Sequence, residues 1–162
     1  MIIEPDRVDW ERLYRQAYPS VYRALVATLF DLDLAADALQ DAFVAGLDRP
    51  PLHDANIPGW LFRVAIRKAG RARRPRTFSL EALAKTSAPS PIDALLDQLA
   101  VGELLRLLTE RQRSIVVAYF YLDQTQEQIA ELLGIRRGTV AATISQALAR
   151  MRKAEGHVQG TA

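Results

Sequence analysis

Arg63, Arg67, Arg71 and Arg74 follow one another at steps of four, four and three, with Lys68 beside them. On a helix those steps align the guanidinium groups along one face. The chemistry open to such a face is ionic: it can neutralise a run of phosphates. Each phosphate neutralised releases condensed counterions, so binding of this kind weakens steeply as salt rises. A solvated helix face carries the same pattern. Asp33, Asp37 and Asp41 stand four apart and line a face of opposite sign. Such a ridge repels nucleic acid and suits a basic protein surface, where complementary charge sets orientation and encounter rate. Carboxylates also suit a metal, but no His or fourth ligand stands near them in the chain, and a merely solubilising face is a further reading. His53 and His157 fall in loop and tail, with no nucleophile triad and no phosphate-cradling Gly loop. No catalysis, cofactor, metal or small-molecule substrate is therefore expected.

The two faces belong to a wider segregation of charge. The chain has 162 residues and a formal net charge of +2. Residues 1–62 carry twice as many acidic as basic residues, whereas RVAIRKAGRARRPR, residues 63–76, holds no acidic residue at all. A basic block next to an acidic one points to two partners of different charge. At 49% hydrophobic and 25% charged, the composition is that of a globular chain. It contains no cysteine, which fits a reducing compartment. No signal peptide is evident in MIIEPDRVDWERL and no apolar stretch is long enough for a bilayer. A cytoplasmic protein is expected.

The elements that position these faces read as helices throughout. Trp10, Leu13, Tyr14, Ala17, Val21, Leu25, Val26 and Leu29 recur at three- and four-residue steps. Pro19 is expected to separate a first helix from a second. Asp31 or Asp33 caps a third, running to about Leu47, and a fourth spans about Pro58 to Arg74 with Trp60, Leu61, Val64 and Ala65 inward. No period-two alternation is long enough for a strand. Residues 75–91, rich in Pro, Ser and Thr, read as a linker. A second helical unit begins near Ile92, with Leu95, Leu96, Leu99, Leu104, Leu105 and Leu108 at helical spacing. The fold class is thus all-α: two small helical domains, 1–75 and 92–155, joined by a flexible linker at 76–91 and followed by a frayed tail at 156–162.

The second unit carries a specific signature. Thr109 heads a helix with Ile115, Val116, Tyr119 and Leu122 on its buried stripe. Thr125 and Gln128 have the spacing of a capping box, Ile129, Leu132 and Leu133 face inward, and Gly134 supplies a left-handed stop. Val140, Ile144, Leu148 and Met151 then mark a final helix of about four turns. Two helices across a Gly-containing turn form a helix-turn-helix, the motif that places its second helix in the DNA major groove.

LTERQRSIVVAYFYLDQTQEQIAELLGI, followed by GTV, resembles the fourth conserved region of bacterial sigma factors, especially the extracytoplasmic-function (ECF) group. LYRQAYPSVYRAL, AADALQDAFVAGL and PGWLFRVAIRKA resemble their second region, in the same order and spacing. The resemblance implies a factor that binds core RNA polymerase and directs promoter-specific transcription initiation. It places polymerase contacts at Asp37, Leu39, Gln40, Asp41 and Phe43. It places contacts to the promoter element nearer the start site on the helix of Arg63, Arg67, Lys68, Arg71 and Arg74, where the family usually has Asn at the position of Arg67 and Asp at that of Arg71. Trp60 and Phe62 could stack on exposed bases, although Trp60 also opens the apolar stripe. Many members are held by a dedicated inhibitor, so an anti-sigma factor joins polymerase and promoter DNA as a candidate partner. The alternative is a diverged sigma-like protein that binds polymerase or a regulator without selecting promoters.

That alternative rests on TVAATISQAL, residues 139–148, where family members usually carry basic residues at the positions of Ala141, Thr143 and Gln146. Charge has moved to Arg136 and Arg137 at the helix start. An arginine at the cap position forgoes about 1 kcal/mol of capping and opposes the positive helix end. Phosphate contact by the two arginines would offset both penalties. Thr139, Thr143 and Gln146 remain able to reach bases, Gln favouring adenine and Thr the thymine methyl. The helix is therefore expected to grip weakly or read an unusual element, unless it packs on another protein and reads nothing.

Overall fold

The computed structural model describes residues 9–51, 56–72 and 102–159, the last three without their side chains. Every regular element among them is a helix. In chain order these are α1 (Trp10–Leu29), α2 (Leu32–Asp48), α3 (Ile57–Ala72), α4 (Gly102–Arg106), α5 (Glu110–Phe120), α6 (Gln126–Leu133) and α7 (Arg137–Gln159). None is long and apolar enough to cross a membrane.

Asp9 starts α1 by accepting a hydrogen bond from the Arg12 amide at 3.1 Å. The helix then runs unbroken through Pro19, contrary to the expected division there. Proline removes one amide bond and costs about 3 kcal/mol inside a helix. Here Pro19 faces solvent, while Ala17, Val21, Ala24, Leu25 and Leu29 are buried on either side of it. Each large apolar side chain so buried is worth about 1.5–3 kcal/mol, and together they outweigh the lost bond. Phe30 ends the helix in the left-handed region at φ 54°, its amide returning to the Val26 carbonyl.

Asp31 caps α2 through the Leu34 amide at 2.9 Å, one of the two acidic caps expected. The Asn56 carboxamide oxygen accepts from the Gly59 amide at 3.1 Å at the start of α3. Leu61 and Ala65 are fully buried, with Trp60 and Val64 half-buried around them. Helix α3 packs mainly on α2 and also on α1, so the three helices share Leu25, Leu39 and Leu61 as a common core.

The later helices follow their expected signals closely. Thr109 and Gln112 form a capping box on α5, and Thr125 and Gln128 form another on α6, with amide-to-side-chain distances of 3.1 and 2.8 Å in the latter. Gly134 stops α6 at φ 65°, ψ 36°. A Cβ at Gly134 would meet nothing within 4 Å, so Gly134→Ala carries a backbone penalty alone. We expect it to lower stability by about 1–2 kcal/mol in a urea titration; an unchanged midpoint would show that the left-handed stop is dispensable.

Helix α7 buries Val140, Ile144, Ala147 and Met151, while Leu148 is only half-buried. It reaches Gln159, well past the four turns expected, and takes in residues assigned to a frayed tail. The expected linker, the stripe of Leu95, Leu96 and Leu99, Arg74 and His53 lie outside the described residues. The two sets of helices touch, α1 against α5 and α3 against α6.

Candidate nucleic-acid interface

Helix α3 divides along its length. Leu61, Phe62, Ala65 and Ala69 are buried, while Arg67 and Arg71 stand in solvent and Lys68 is half-buried. Neither Arg67 nor Arg71 forms an ion pair among the described residues, and neither meets Asp33, Asp37 or Asp41. Their positive potential is therefore available to an external anion. Arg63 behaves differently. It is partly covered, its Nε is buried without a hydrogen-bond partner among the described residues, and burial, helped by the nearby Arg67 charge, pushes its pKa below the usual arginine value. Phe62 is 4% exposed, so the expected stacking of that ring on a base is corrected: it is a core side chain. Trp60 is packed against the core but remains partly exposed.

On α2, Asp33, Asp37, Gln40 and Asp41 are exposed along one side. Leu39 is 0% exposed and Phe43 is 7% exposed. A side chain with no surface cannot touch a partner, so Leu39 holds α2 in place and does not form part of a docking face. Phe43 is ringed by aromatic side chains, Trp10 edge-on at 6.3 Å and Tyr14 at 4.9 Å between centroids. Burial, with the neighbouring Tyr14 and Tyr22 phenols, pushes Tyr18 in the same group above the usual tyrosine pKa. The acidic side continues instead into apolar surface, with Val44 52% and Leu47 61% exposed. Sequence reasoning missed these two, although 37, 40, 44 and 47 step by three, four and three. The ridge is therefore carboxylate at one end and aliphatic at the other, the composition of a protein-binding face whose charged groups orient a partner around an apolar centre. Among the described residues no cluster of three or more His, Cys, Asp or Glu could hold a metal ion.

Helix α7 presents Thr139, Gln146 and, half-buried, Thr143 on the side away from its core stripe. The Thr143 hydroxyl donates to the Thr139 carbonyl at 2.8 Å, which leaves its methyl as the group for an apolar base contact. Arg136 precedes the helix and its carbonyl accepts the Val140 amide at 3.2 Å. Its side chain is exposed. Arg137 meets Glu127 of α6 at 2.8 Å, a pairing that the sequence did not disclose. Both partners are more than half exposed, so this bond contributes little and exchanges readily for a phosphate. The line through 139, 143 and 146 continues to 150 and 153, and Arg150 and Lys153 are exposed. Sequence reasoning stopped its contact residues at Gln146 and missed this basic extension.

The second set of helices coincides with a known family model, "Sigma-70, region 4", which matches residues 98–151. Over the whole length, the chain is 28% identical to the ECF RNA polymerase sigma factor SigM of Mycobacterium tuberculosis, covering 94% of this chain and 80% of that one. It is 29% identical to an RNA polymerase sigma-E factor of Streptomyces avermitilis, covering 90% and 84%. The chain belongs to the ECF sigma factors. Its fold also superimposes on that of the sigma factor RpoE from Bartonella quintana, solved in complex with the anti-sigma factor NepR, with a TM-score of 0.69 at 16% identity over 90% of this chain and 95% of that one. Within this sigma factor the region-4 match takes in α4 to α6 and α7 as far as Met151, which contains the helix-turn-helix and the uncharged stretch 139–148 of its second helix.

Proposed function

We propose that this sigma factor binds core RNA polymerase, brings it to promoters and helps open the duplex there, without bond chemistry of its own. The observation that carries the reading is the pair of solvent-facing guanidinium groups on α3, Arg67 and Arg71, in a chain whose later helices form a region-4 helix-turn-helix. In this reading residues 1–75 form a first domain, 76–91 a tether and 92–155 a second domain, with 156–162 a tail. The α2 side with Asp37, Gln40, Asp41, Val44 and Leu47 meets the polymerase. Arg67, Lys68, Arg71 and Arg74 grip the promoter element nearer the start site, with Arg63 joining them. Arg136, Arg137, Thr139, Thr143 and Gln146 address the second element. Tethering to polymerase raises the local concentration of that neutral helix, so weak contacts suffice. An inhibitory protein, of the kind bound by the Bartonella relative, is a further partner in keeping with the fold, and the cytoplasm is where such a factor meets polymerase.

The test is transcription in vitro with purified core polymerase and this protein on genomic fragments, followed by start-site mapping. Defined starts that share an upstream element are expected. Stable polymerase binding with no new transcripts would overturn promoter selection.

A further inference from the structure

The helix-turn-helix carries charge of both signs at its point of entry. Arg137, the first residue of α7, directs its Nε to Glu127 Oε1 at 2.8 Å. Glu127 belongs to the first turn of α6, so the bond ties the starting ends of the two helices together. Asp123, Thr125 and Gln126 line the same open depression as this pair. Thr125 and Gln128 spend their amides on each other's side chains, at 2.8 and 3.1 Å. Donors with which the start of α6 would meet an anion are therefore already committed, and the carboxylates of Asp123 and Glu127 stand beside them.

The start of α7 is the reverse case. It has no acidic residue in its first turn, although the positive end of a helix favours one. Arg136, just before it, is exposed, and Arg137 adds a second cation. The anion that this end lacks comes from the neighbouring helix, through Glu127. A carboxylate and a phosphate present the same chemistry to a guanidinium: oxygens that accept its N–H groups in charge-assisted bonds. Glu127 thus occupies Arg137 in the way a DNA phosphate would.

We propose that Glu127 is a specificity-determining residue, an internal stand-in for phosphate that keeps Arg137 from DNA until α7 is seated on bases. The proposal rests on the reading of α7 as the helix that addresses the second promoter element. On DNA of the wrong sequence, Thr139, Thr143 and Gln146 find no match, and a passing phosphate must displace a carboxylate belonging to the same molecule as the arginine. It must also approach Asp123. On the right sequence, base contacts hold the phosphate beside Arg137, so both competitors act at high effective concentration. An exposed pair of this kind is then weak enough to yield. The arrangement suits a helix with no charge between 139 and 148. Phosphate contacts carry no sequence information, so its few base contacts decide binding only where indiscriminate ones are held down.

The test uses the full chain in complex with core polymerase. Its probes are a labelled duplex from a mapped promoter and the same duplex with the second element scrambled; core polymerase alone on each gives the background. Glu127→Gln keeps the shape and removes the charge, and since Glu127 is exposed the melting curve should not move. Binding to the scrambled duplex should tighten about threefold to fivefold, the range open to an exposed ion pair. The slope of log affinity against log salt should steepen by about 0.9, one further phosphate. Binding to the intact promoter should change less than about twofold, so discrimination falls. Adding Arg137→Gln should erase the gain. Glu127→Asp keeps the charge on a shorter side chain and should behave like Glu127→Gln. If it behaves like the unsubstituted chain, the field of the carboxylate acts and not its bond, and the stand-in is overturned. Equal tightening on both duplexes, or none on either, would overturn it too. If the unsubstituted complex binds both duplexes alike, the reading of α7 falls first and takes the stand-in with it.

Discussion

Replacing Arg67 and Arg71 together by glutamate is expected to abolish promoter opening and to leave binding to core polymerase intact. Both side chains stand in solvent, so reversing them disturbs no packing. Like charge placed against phosphate costs several kcal/mol, which corresponds to an affinity loss on the order of 10²-fold or more. The milder Arg67→Ala, Arg71→Ala pair separates a backbone grip from a stability effect. Each phosphate contact adds about 0.9 to the slope of log affinity against log salt, so two lost contacts flatten that slope by about two. Gel-shift titrations of the polymerase complex across salt concentrations, with potassium permanganate footprinting of the opened strand, supply the readouts. Unchanged opening after charge reversal would remove α3 from the promoter interface.

The converse change, Asp37→Lys with Asp41→Lys, is expected to weaken polymerase binding by on the order of 10²-fold. Both carboxylates are exposed and stand beside Gln40 and the aliphatic pair Val44 and Leu47. Reversal on a complementary face juxtaposes like charges, and the folded chain itself should melt as before. Leu39→Ala makes the contrast. Leu39 is fully buried, and truncating such a leucine costs about 2–5 kcal/mol of stability, so its binding defect should appear only together with a lowered melting point. Pull-down of core polymerase, paired with a melting curve for each variant, distinguishes the two mechanisms. Full binding by the doubly reversed chain would move the polymerase interface elsewhere.

Local signals were legible in the sequence where the cause was itself local. Thr125 with Gln128, Gly134 and Asp31 each act within one turn of the backbone, and each stands where its spacing put it. Pro19 misled because its penalty is local while the burial that overrides it comes from neighbouring helices. Leu39 and Phe62 sit among polar and basic residues that suggest surface, and their place in the core depends on how α2 and α3 roll against α1. Family resemblance marks a segment as a contact region without separating side chains that touch a partner from those that hold the segment in shape. The Arg137–Glu127 pair joins residues ten apart on different helices. The Arg113 bond to Thr28 joins residues 85 apart in the chain, and periodicity within single segments carries no information about it.

The sigma factor has two tryptophans, Trp10 and Trp60, and both precede the later helices. Trp10 rests edge-on against Phe43 within the α1–α2 pair. Trp60 directly follows Gly59, the point of closest approach to α6. Intrinsic emission therefore comes from one indole lodged in an aromatic nest and another beside the contact between α3 and α6. The molecule carries its own optical gauge of that contact, together with its own reference, and needs no dye.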